Sequence, residues 1–558
     1  MQKILFNTNW MLNGEVVTLP HDAMIKEKRS KEASDGGHGY FPGGIYSYSK
    51  KFVAPVEWAD KNIFIEFEGV YKNSKVLLNG KEIGEQKYGY TGFFLPLTIL
   101  KYGEENELTV IADNSKIPNS RWYTGSGIYR PVWIYVENKN GLKHEGIKIT
   151  TVSISPATIH VDVDAADAKV EIFYDDKLVI SGQPGDIAIP DAKLWSDKAP
   201  HLYTCRVSIG EDVFEEKFGI REIKWSPKGL LINNEEVLLR GGCVHHDHGI
   251  LGAACHDESE WRRVRILKEA GFNAIRSSHN PCSRAMLEAC DFYGMYIMDE
   301  SFDMWYNRKT VYDYGLDFET EWENDIRAMV RKDYNHPSVI LYSIGNEVAE
   351  PAEEKGLTYG KKMIDLIHEM DSTRPVTCGL NLMVMSRAAK GQGIYKDGEQ
   401  TTTKKESDKE EKATNGSLAF NIMASMIGTN MNKAGNSPKV DALCSPMIDA
   451  LDIAGYNYGS GRYPLEGKIH PDRMLIGSET FPQDIYKNWE MVKKLPYLFG
   501  DFMWTSWDYL GEAGLGCWSY TGGVPFNRPY PWILSGSGVI DITGHADGSC
   551  RYASTVWG

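Results

Sequence analysis

Two glutamates each lie at the end of a short apolar run. Glu347 follows Val339–Ile344, and Glu479 lies near the end of the run 474–480. A carboxylate at the carboxyl end of a strand faces the active site when that strand belongs to a (β/α) barrel. Two such carboxylates are what glycoside cleavage requires, one as nucleophile and the other as general acid and base. A lone strand-end glutamate is usually a surface carboxylate, so the hypothesis depends on the pair and on Asn346 beside it.

The chain around this pair alternates between short strands and amphipathic helices. Helices are predicted at Glu258–Ala270, Ser283–Phe292 and Phe318–Tyr334, and a strand at Tyr296–Asp299. Strand–helix alternation of this length indicates a parallel α/β unit. We therefore predict a closed TIM barrel, (β/α)8, over residues 224–558.

The first part of the chain has the pattern of β-rich domains. Short strand-like runs at Asn62–Phe67, Ser74–Leu78 and Glu107–Ala112 are separated by turn residues, and 78–81 (LNGK) is a hairpin signal. This pattern predicts a β-sandwich over residues 1–140. A further strand series predicts a small immunoglobulin-like β-sandwich over 141–223. The predicted fold class is thus multidomain, β plus α/β.

Composition excludes several classes of protein. The 558 residues include 61 Lys and Arg against 76 Asp and Glu, so the net charge is −15, without the basic excess of a nucleic-acid binder. No apolar stretch is long enough to span a membrane, and Ile4–Phe6 is too short for a signal-peptide core. Nine scattered cysteines without a Cys-x-x-Cys predict reduced thiols and a cytoplasmic location. The polar stretch 397–416 is interpreted as a solvated loop within the barrel domain.

The stretch Asn335–Glu347 (NHPSVILYSIGNE) closely resembles the acid/base signature of family-2 glycoside hydrolases. The resemblance extends along the whole chain. Residues 67–70, 76–80, 113–115 and 126–130 are similar to that family's sugar-binding jelly-roll domain, and 194–196 and 218–221 to the end of its immunoglobulin-like domain. The resemblance therefore implies that residues 1–140 form a jelly-roll sugar-binding sandwich.

The resemblance also implies roles for individual residues. Glu347 matches the family's acid/base and Glu479 its nucleophile, and Asn346 matches a residue that binds the substrate 2-hydroxyl. His246 and His279 match histidines that contact sugar hydroxyls, with a structural role as the alternative for His279.

Two aromatic residues match as well, and a metal or cofactor is not expected. Tyr458 matches a tyrosine that hydrogen-bonds the nucleophile, and Trp504 an aromatic at the sugar subsite. The histidines at 245–248 are not expected to bind zinc, because neighbouring strand residues face opposite sides and no third ligand group is evident in the sequence. We predict no metal site and no cofactor.

Three departures from the family bear on the choice of sugar. An Asn-x-Lys pair that grips the substrate carboxylate in family β-glucuronidases is missing from 535–541, although Asn307–Lys309 fits the pattern in a different barrel loop. Residues 300–302 lack the Glu-x-His that holds Mg²⁺ in well-studied β-galactosidases. Arg121 stands where both subfamilies have Asp, and it or Arg528 is a candidate contact for an acidic sugar.

These observations predict a retaining exo-β-glycosidase that acts on terminal β-linked sugars of a carbohydrate or glycoconjugate. A β-galactosidase is the first choice, because a neutral sugar needs no Asn-x-Lys pair. The alternatives are a β-glucuronidase or β-galacturonidase and, in a different class, a catalytically dead carbohydrate-binding protein. The sequence leaves open the aglycone, further C-terminal domains, and whether the chain forms a homo-oligomer.

Overall fold

The chain folds into two β-sandwiches followed by a closed parallel barrel. The structure is a computed structural model, and it describes residues 1–165, 167–390, 428–517 and 528–558. The predicted loop 397–416 lies outside these residues.

The first sandwich consists of two main antiparallel sheets. Its strands are β1 (Gln2–Leu5), β2 (Trp10–Leu12), β3 (Glu15–Val17), β4 (Gly44–Val53), β5 (Lys61–Phe67), β6 (Val70–Tyr71), β7 (Ser74–Leu78), β8 (Lys81–Gln86), β9 (Phe93–Pro96), β10 (Glu105–Asn114), β11 (Gly127–Ile128) and β12 (Val132–Asn138). The sheet order is β1-β12-β5-β9 in one and β3-β2-β4-β10-β7-β8 in the other. Asn79 and Gly80 join β7 to β8 with φ of 52° and 78°. Both values suit a two-residue type I′ turn, which confirms the predicted hairpin.

The second sandwich is smaller. Its strands are β13 (Ile147–Ile154), β14 (Ala157–Val163), β15 (Lys169–Tyr174), β16 (Lys177–Gly182), β17 (Gly185–Ala188), β18 (Tyr203–Ile209) and β19 (Asp212–Phe218). They form the sheets β13-β14-β17 and β16-β15-β18-β19. A three-stranded sheet then leads into the barrel: β20 (Ile223–Ser226), β21 (Gly229–Ile232) and β22 (Glu235–Glu236). The boundary predicted after residue 140 falls between β12 and β13, and the one predicted after residue 223 falls within β20; both stay predictions.

Eight parallel strands close the barrel, as the sequence predicts. The strands and helices are β23 (Leu239–Val244), α1 (Asp257–Glu269), β24 (Ala274–Ser277), α2 (Arg284–Tyr293), β25 (Tyr296–Glu300), α3 (Phe318–Asp333), β26 (Val339–Asn346), α4 (Glu354–Met370), β27 (Val376–Leu380), α5 (Leu382–Ala388), α6 (Pro438–Ile448), β28 (Ala454–Asn457), α7 (Tyr463–Ile469), β29 (Leu475–Thr480), α8 (Ile485–Lys494), β30 (Leu498–Met503) and α9 (Gly548–Trp557). Every residue of β26 is buried, because helices cover the outside of the barrel and side chains fill its inside.

The first sandwich packs against the barrel through polar contacts. The Tyr88 hydroxyl donates to the carbonyl of Ser301, directly after β25, and the Thr91 hydroxyl donates to Asp325 on α3. These contacts place the sandwich beside the carboxyl ends of the barrel strands.

A buried ion-pair group also joins these two units. Arg284, at the start of α2, contacts Glu66 at 3.0 Å and Glu68 at 2.8 Å, both from the sandwich. Arg284→Met should lower the free energy of unfolding by about 3 kcal/mol, because two buried carboxylates lose this cation. Denaturant unfolding measures the loss. Arg327→Met, which breaks an exposed pair with Glu323, is the control and should cost less than about 1 kcal/mol. Equal losses in the two variants would contradict this account of the interface.

Two further findings bear on the class of protein. No helix among the described residues is both long and apolar enough to cross a bilayer. All nine cysteines are unpaired, and only Cys517 is not buried.

Candidate active site

The two predicted catalytic glutamates lie at the same mouth of the barrel. Glu347 directly follows β26, the fourth barrel strand, and Glu479 is the penultimate residue of β29, the seventh. Both side chains are buried, with 2% and 4% of their surfaces exposed. Strands four and seven thus bring together two carboxylates that are far apart in the sequence.

Three donors hold the carboxylate of Glu479. Arg276 Nη1 and Asn457 Nδ2 donate to Oε2 at 3.0 and 3.1 Å, and the Tyr458 hydroxyl adds a further hydrogen bond. Burial, and next the charge of Glu347, raise the pKa of Glu479 to about 7, while Arg276 and Tyr458 act in the opposite sense. Burial and the neighbouring carboxylate thus oppose the ionised form of Glu479, while its three donors favour that form.

Glu347 is held in an uncommon backbone conformation. Its φ is 44°, in the left-handed region that non-glycine residues rarely adopt. Its backbone N–H donates to the carbonyl of Gly379 on β27 at 2.7 Å, and Asn381 Nδ2 donates to its Oε1 at 2.8 Å. Strain of this kind persists where surrounding contacts fix the geometry, and it concentrates at functional sites.

Arg276 links the carboxyl groups of the barrel interior. Besides Glu479 it contacts both oxygens of Glu300, and it donates to Asn346 Oδ1 at 2.9 Å. Glu300 also accepts from Ser343 at 2.6 Å and lies 2.7 Å from Nδ1 of His279. The Glu300 carboxylate is thus already bound by protein side chains. Glu300 belongs to the stretch 300–302, which lacks the Glu-x-His that holds Mg²⁺ in well-studied β-galactosidases.

Aromatic rings form one wall of the site. The Trp504 ring stacks on His279, with centroids 5.1 Å apart and an angle of 4° between the planes. His245 lies edge-on to Trp504 at 5.3 Å, and Trp122 from the first sandwich lies 4.7 Å from His245. Burial, and next the charge of Arg276, hold the pKa of His279 well below its usual range, so this ring is neutral.

The structure places His245, and not the predicted His246, in this wall. His246 Nε2 contacts the carbonyl of Thr124 at 3.1 Å, and its ring lies edge-on to Tyr90 and Tyr129. Neighbouring residues at a strand end face opposite sides, so a shift of one position decides which histidine lies in this wall. Neither buried ring nitrogen of His245 has a hydrogen-bond partner within the described part of the chain. The hydroxyl contact of His246 stays a prediction, and His245 is a second candidate for it.

Arg121 enters the site from the first sandwich. Its guanidinium contacts both oxygens of Asp303, at 3.0 and 2.5 Å, and Lys309 Nζ lies 3.0 Å from the same carboxylate. Lys309 also donates to the carbonyl of Asn346 at 2.7 Å. Despite burial, the charges of Arg121 and Lys309 hold the pKa of Asp303 well below its usual value. Lys309, which completes the Asn-x-Lys pattern at Asn307–Lys309, thus lies beside the residues that carry Glu347.

Arg528 is not brought into this group. Its guanidinium lies 5.8 Å from the ring of Trp532, and its backbone N–H donates to the carbonyl of Ala513. Of the two candidate arginines, only Arg121 joins the side chains around the catalytic pair.

A second buried polar group lies beside helix α1. Donor atoms of His248, Cys255 and Glu260 are within 4.8 Å of one another. Arg263 Nη2 lies 3.0 Å from His248 Nδ1 and is a donor only, so the imidazole proton lies on Nε2, which is 3.6 Å from Glu260. At 3.6 Å this separation is too long for a hydrogen bond, and His248 Nε2 has no hydrogen-bond partner among the described residues. The predicted absence of a metal site stays a prediction.

Comparison with known proteins identifies the family. The description "Glycosyl hydrolases family 2, TIM barrel domain" matches residues 223–434, and "Glycosyl hydrolases family 2" matches 137–221. The protein named Beta-galactosidase BoGH2A from Bacteroides ovatus is 30% identical over 95% of this chain and 67% of its own length. The chain belongs to glycosyl hydrolase family 2. A putative beta-glucuronidase from Formosa agariphila is also 30% identical, over 97% of this chain but only 53% of its own length.

Solved structures of family-2 members share the fold. A family-2 member from Bacteroides cellulosilyticus covers all of this chain and 71% of its own, with a TM-score of 0.84 and 28% identity. A β-D-glucuronidase from Dictyoglomus thermophilum has a TM-score of 0.71 at 20% identity, a likeness of fold alone. This family-2 chain is thus similar both to proteins named β-galactosidase and to proteins named β-glucuronidase. The sugar that it cleaves must therefore be argued from the site.

Several site residues were missed by the sequence analysis. They are Arg276, His245, Asp303, Asn381 and Asn457. A charged residue within an apolar strand was the available signal for Arg276, which stands in the run 274–277 (AIRS). The others stand at strand ends and in loops, where sequence spacing does not show which side chains converge.

Proposed function

We propose that this family-2 chain is a retaining exo-β-glycosidase. The observation that carries the proposal is the buried pair of Glu347 and Glu479 at the ends of the fourth and seventh strands. Three donors contact the carboxylate of Glu479, which suits a nucleophile, and Glu347 is the group that supplies the proton a leaving group requires.

The proposed reaction has two steps. First, Glu479 attacks the anomeric carbon, the bond to the leaving oxygen breaks, and Glu347 gives that oxygen its proton. Second, Glu347 takes a proton from water as the water oxygen attacks the same carbon and releases Glu479. Two inversions return the β-anomer.

The sugar we propose is β-galactose. Asp303 already engages both nearby cations, Arg121 and Lys309, so a uronate carboxylate would have to compete with a buried ion pair. The similarity to a protein named β-galactosidase supports this choice. A β-glucuronide or β-galacturonide remains the second candidate, because two cations do converge there and other relatives carry the name β-glucuronidase.

The test compares nitrophenyl β-galactoside, β-glucuronide, β-galacturonide, β-glucoside and β-mannoside side by side. We expect the galactoside to have the highest kcat/KM, and proton NMR to detect the β-sugar before mutarotation. An α-sugar as the first product would contradict retention. No turnover of any substrate would favour a carbohydrate-binding protein.

Arg121→Gln tests the role of the cation. If a uronate carboxylate displaces Asp303 from Arg121, glucuronide or galacturonide cleavage should lose about 10- to 100-fold more kcat/KM than galactoside cleavage, because only a carboxylate forms an ion pair with the guanidinium. The ratio between two substrates cancels any shared loss of stability. Arg528→Gln is the control and should leave the ratio unchanged. A strong uronide preference that survives in both variants would refute this account of sugar selection.

A further inference from the structure

Asn381 lies between the fifth barrel strand and the following helix. It directly follows β27 and is the N-cap of α5, and only 2% of its surface is exposed. Its side-chain oxygen accepts from the backbone N–H groups of Met383 and Val384, at 3.1 and 3.4 Å. Its side-chain nitrogen donates to Glu347 Oε1 at 2.8 Å. The Asn381 carboxamide therefore caps the start of α5 and also hydrogen-bonds the proposed acid/base, Glu347.

The orientation of this carboxamide is fixed by chemistry. Backbone N–H groups only donate, so Oδ1 must face the helix and Nδ2 must face Glu347. The N-cap interaction holds the side chain in this position before any substrate arrives. Because Oε1 of Glu347 accepts the Asn381 N–H, the acidic proton of Glu347 lies on Oε2.

We propose that Asn381 is a positioning residue, which presents the Oε2 proton of Glu347 to the leaving group. The inference rests on the proposed function of Glu347. Two residues near the end of the fifth strand act together. Gly379 fixes the backbone of Glu347, and Asn381, the N-cap of α5, fixes its carboxyl group. Neither contact involves the substrate, so their effect passes through Glu347.

Asn381→Ser is the decisive variant, because serine is also a good N-cap but lacks the amide donor. We expect kcat/KM for alkyl glycosides, which need protonation, to fall by about 10- to 100-fold. Nitrophenyl glycosides, which do not, should stay within about threefold. The alkaline limb of the pH–rate profile should move to higher pH, since the lost N–H favoured the carboxylate form.

Two further variants separate positioning from folding. Asn381→Asp keeps the cap but turns an acceptor toward Glu347, so the alkaline limb should move further in the same direction. Ser437→Ala removes the N-cap of α6, where the serine accepts from Val440, and should lower stability without changing the ratio between the two substrates.

A double-mutant cycle gives the clearest outcome. In a Glu347→Ala background, adding Asn381→Ser should change kcat/KM for alkyl glycosides by less than about twofold, because its partner is gone. A further tenfold loss, or an equal loss on both substrate types in the single variant, would overturn the inference while the proposed function stands. A wild type without β-glycosidase activity would overturn both.

Discussion

Glu479→Gln should abolish turnover of every β-glycoside that the wild type cleaves, lowering kcat/KM by about 10⁴-fold or more. The amide fits the same space but cannot form the covalent intermediate. Steady-state kinetics measure the loss, and thermal unfolding checks that the fold is intact. Glu490→Gln is the control, because within the described ranges this glutamate pairs with Lys493 and Lys494 on the outer helix α8, away from the barrel mouth. Near wild-type activity in Glu479→Gln would refute the assignment.

A smaller substitution at the same position allows chemical rescue. In Glu479→Ala, azide should enter the emptied space and attack the anomeric carbon directly. One inversion then gives the α-glycosyl azide. Recovery of the β-glycosyl azide from this variant would show that Glu479 is not the nucleophile.

Glu347→Ala should slow alkyl glycosides by about 10²- to 10⁴-fold while affecting nitrophenyl glycosides far less, as judged by kcat/KM. The difference arises because a poor leaving group needs a proton and nitrophenolate does not. An equal loss on both substrate types would mean that Glu347 is not the acid.

Azide rescue separates the two glutamates by product stereochemistry. In Glu347→Ala the covalent intermediate still forms, and azide attacks it where the base would have activated water. The product is then the β-glycosyl azide, opposite to that from Glu479→Ala. The same anomer from both variants would contradict the assignment of two roles.

The fold and the strand-end positions of Glu347 and Glu479 were predictable because their signals are local. The strand predicted at Val339–Ile344 forms as Val339–Asn346, and the helix predicted at Phe318–Tyr334 forms as Phe318–Asp333. Glu347 directly follows an apolar strand and Glu479 is the penultimate residue of another, so their position at the barrel mouth follows from the topology.

The partners of the pair were not predictable in the same way. Asn381 gains its role because the ends of strands four and five lie side by side, and Asp303 because a loop folds over the fourth strand. The choice between His245 and His246 depends on a single step along the chain, which reverses the face of a side chain. A resemblance transfers residue types to aligned positions, but it does not supply this register.

Two groups at the site, Arg121 and Trp122, come from the first sandwich, whereas the proposed chemistry belongs to the barrel. A sugar bound between them touches both units, so its binding energy also stabilises their interface. Tight inhibitors should accordingly raise the unfolding temperature of the sandwich together with that of the barrel. The sandwich has a core of its own around residues such as Trp10 and Ile65. Selection can therefore retune the preferred sugar through a loop of that unit, and leave the bond-breaking apparatus of the barrel unaltered.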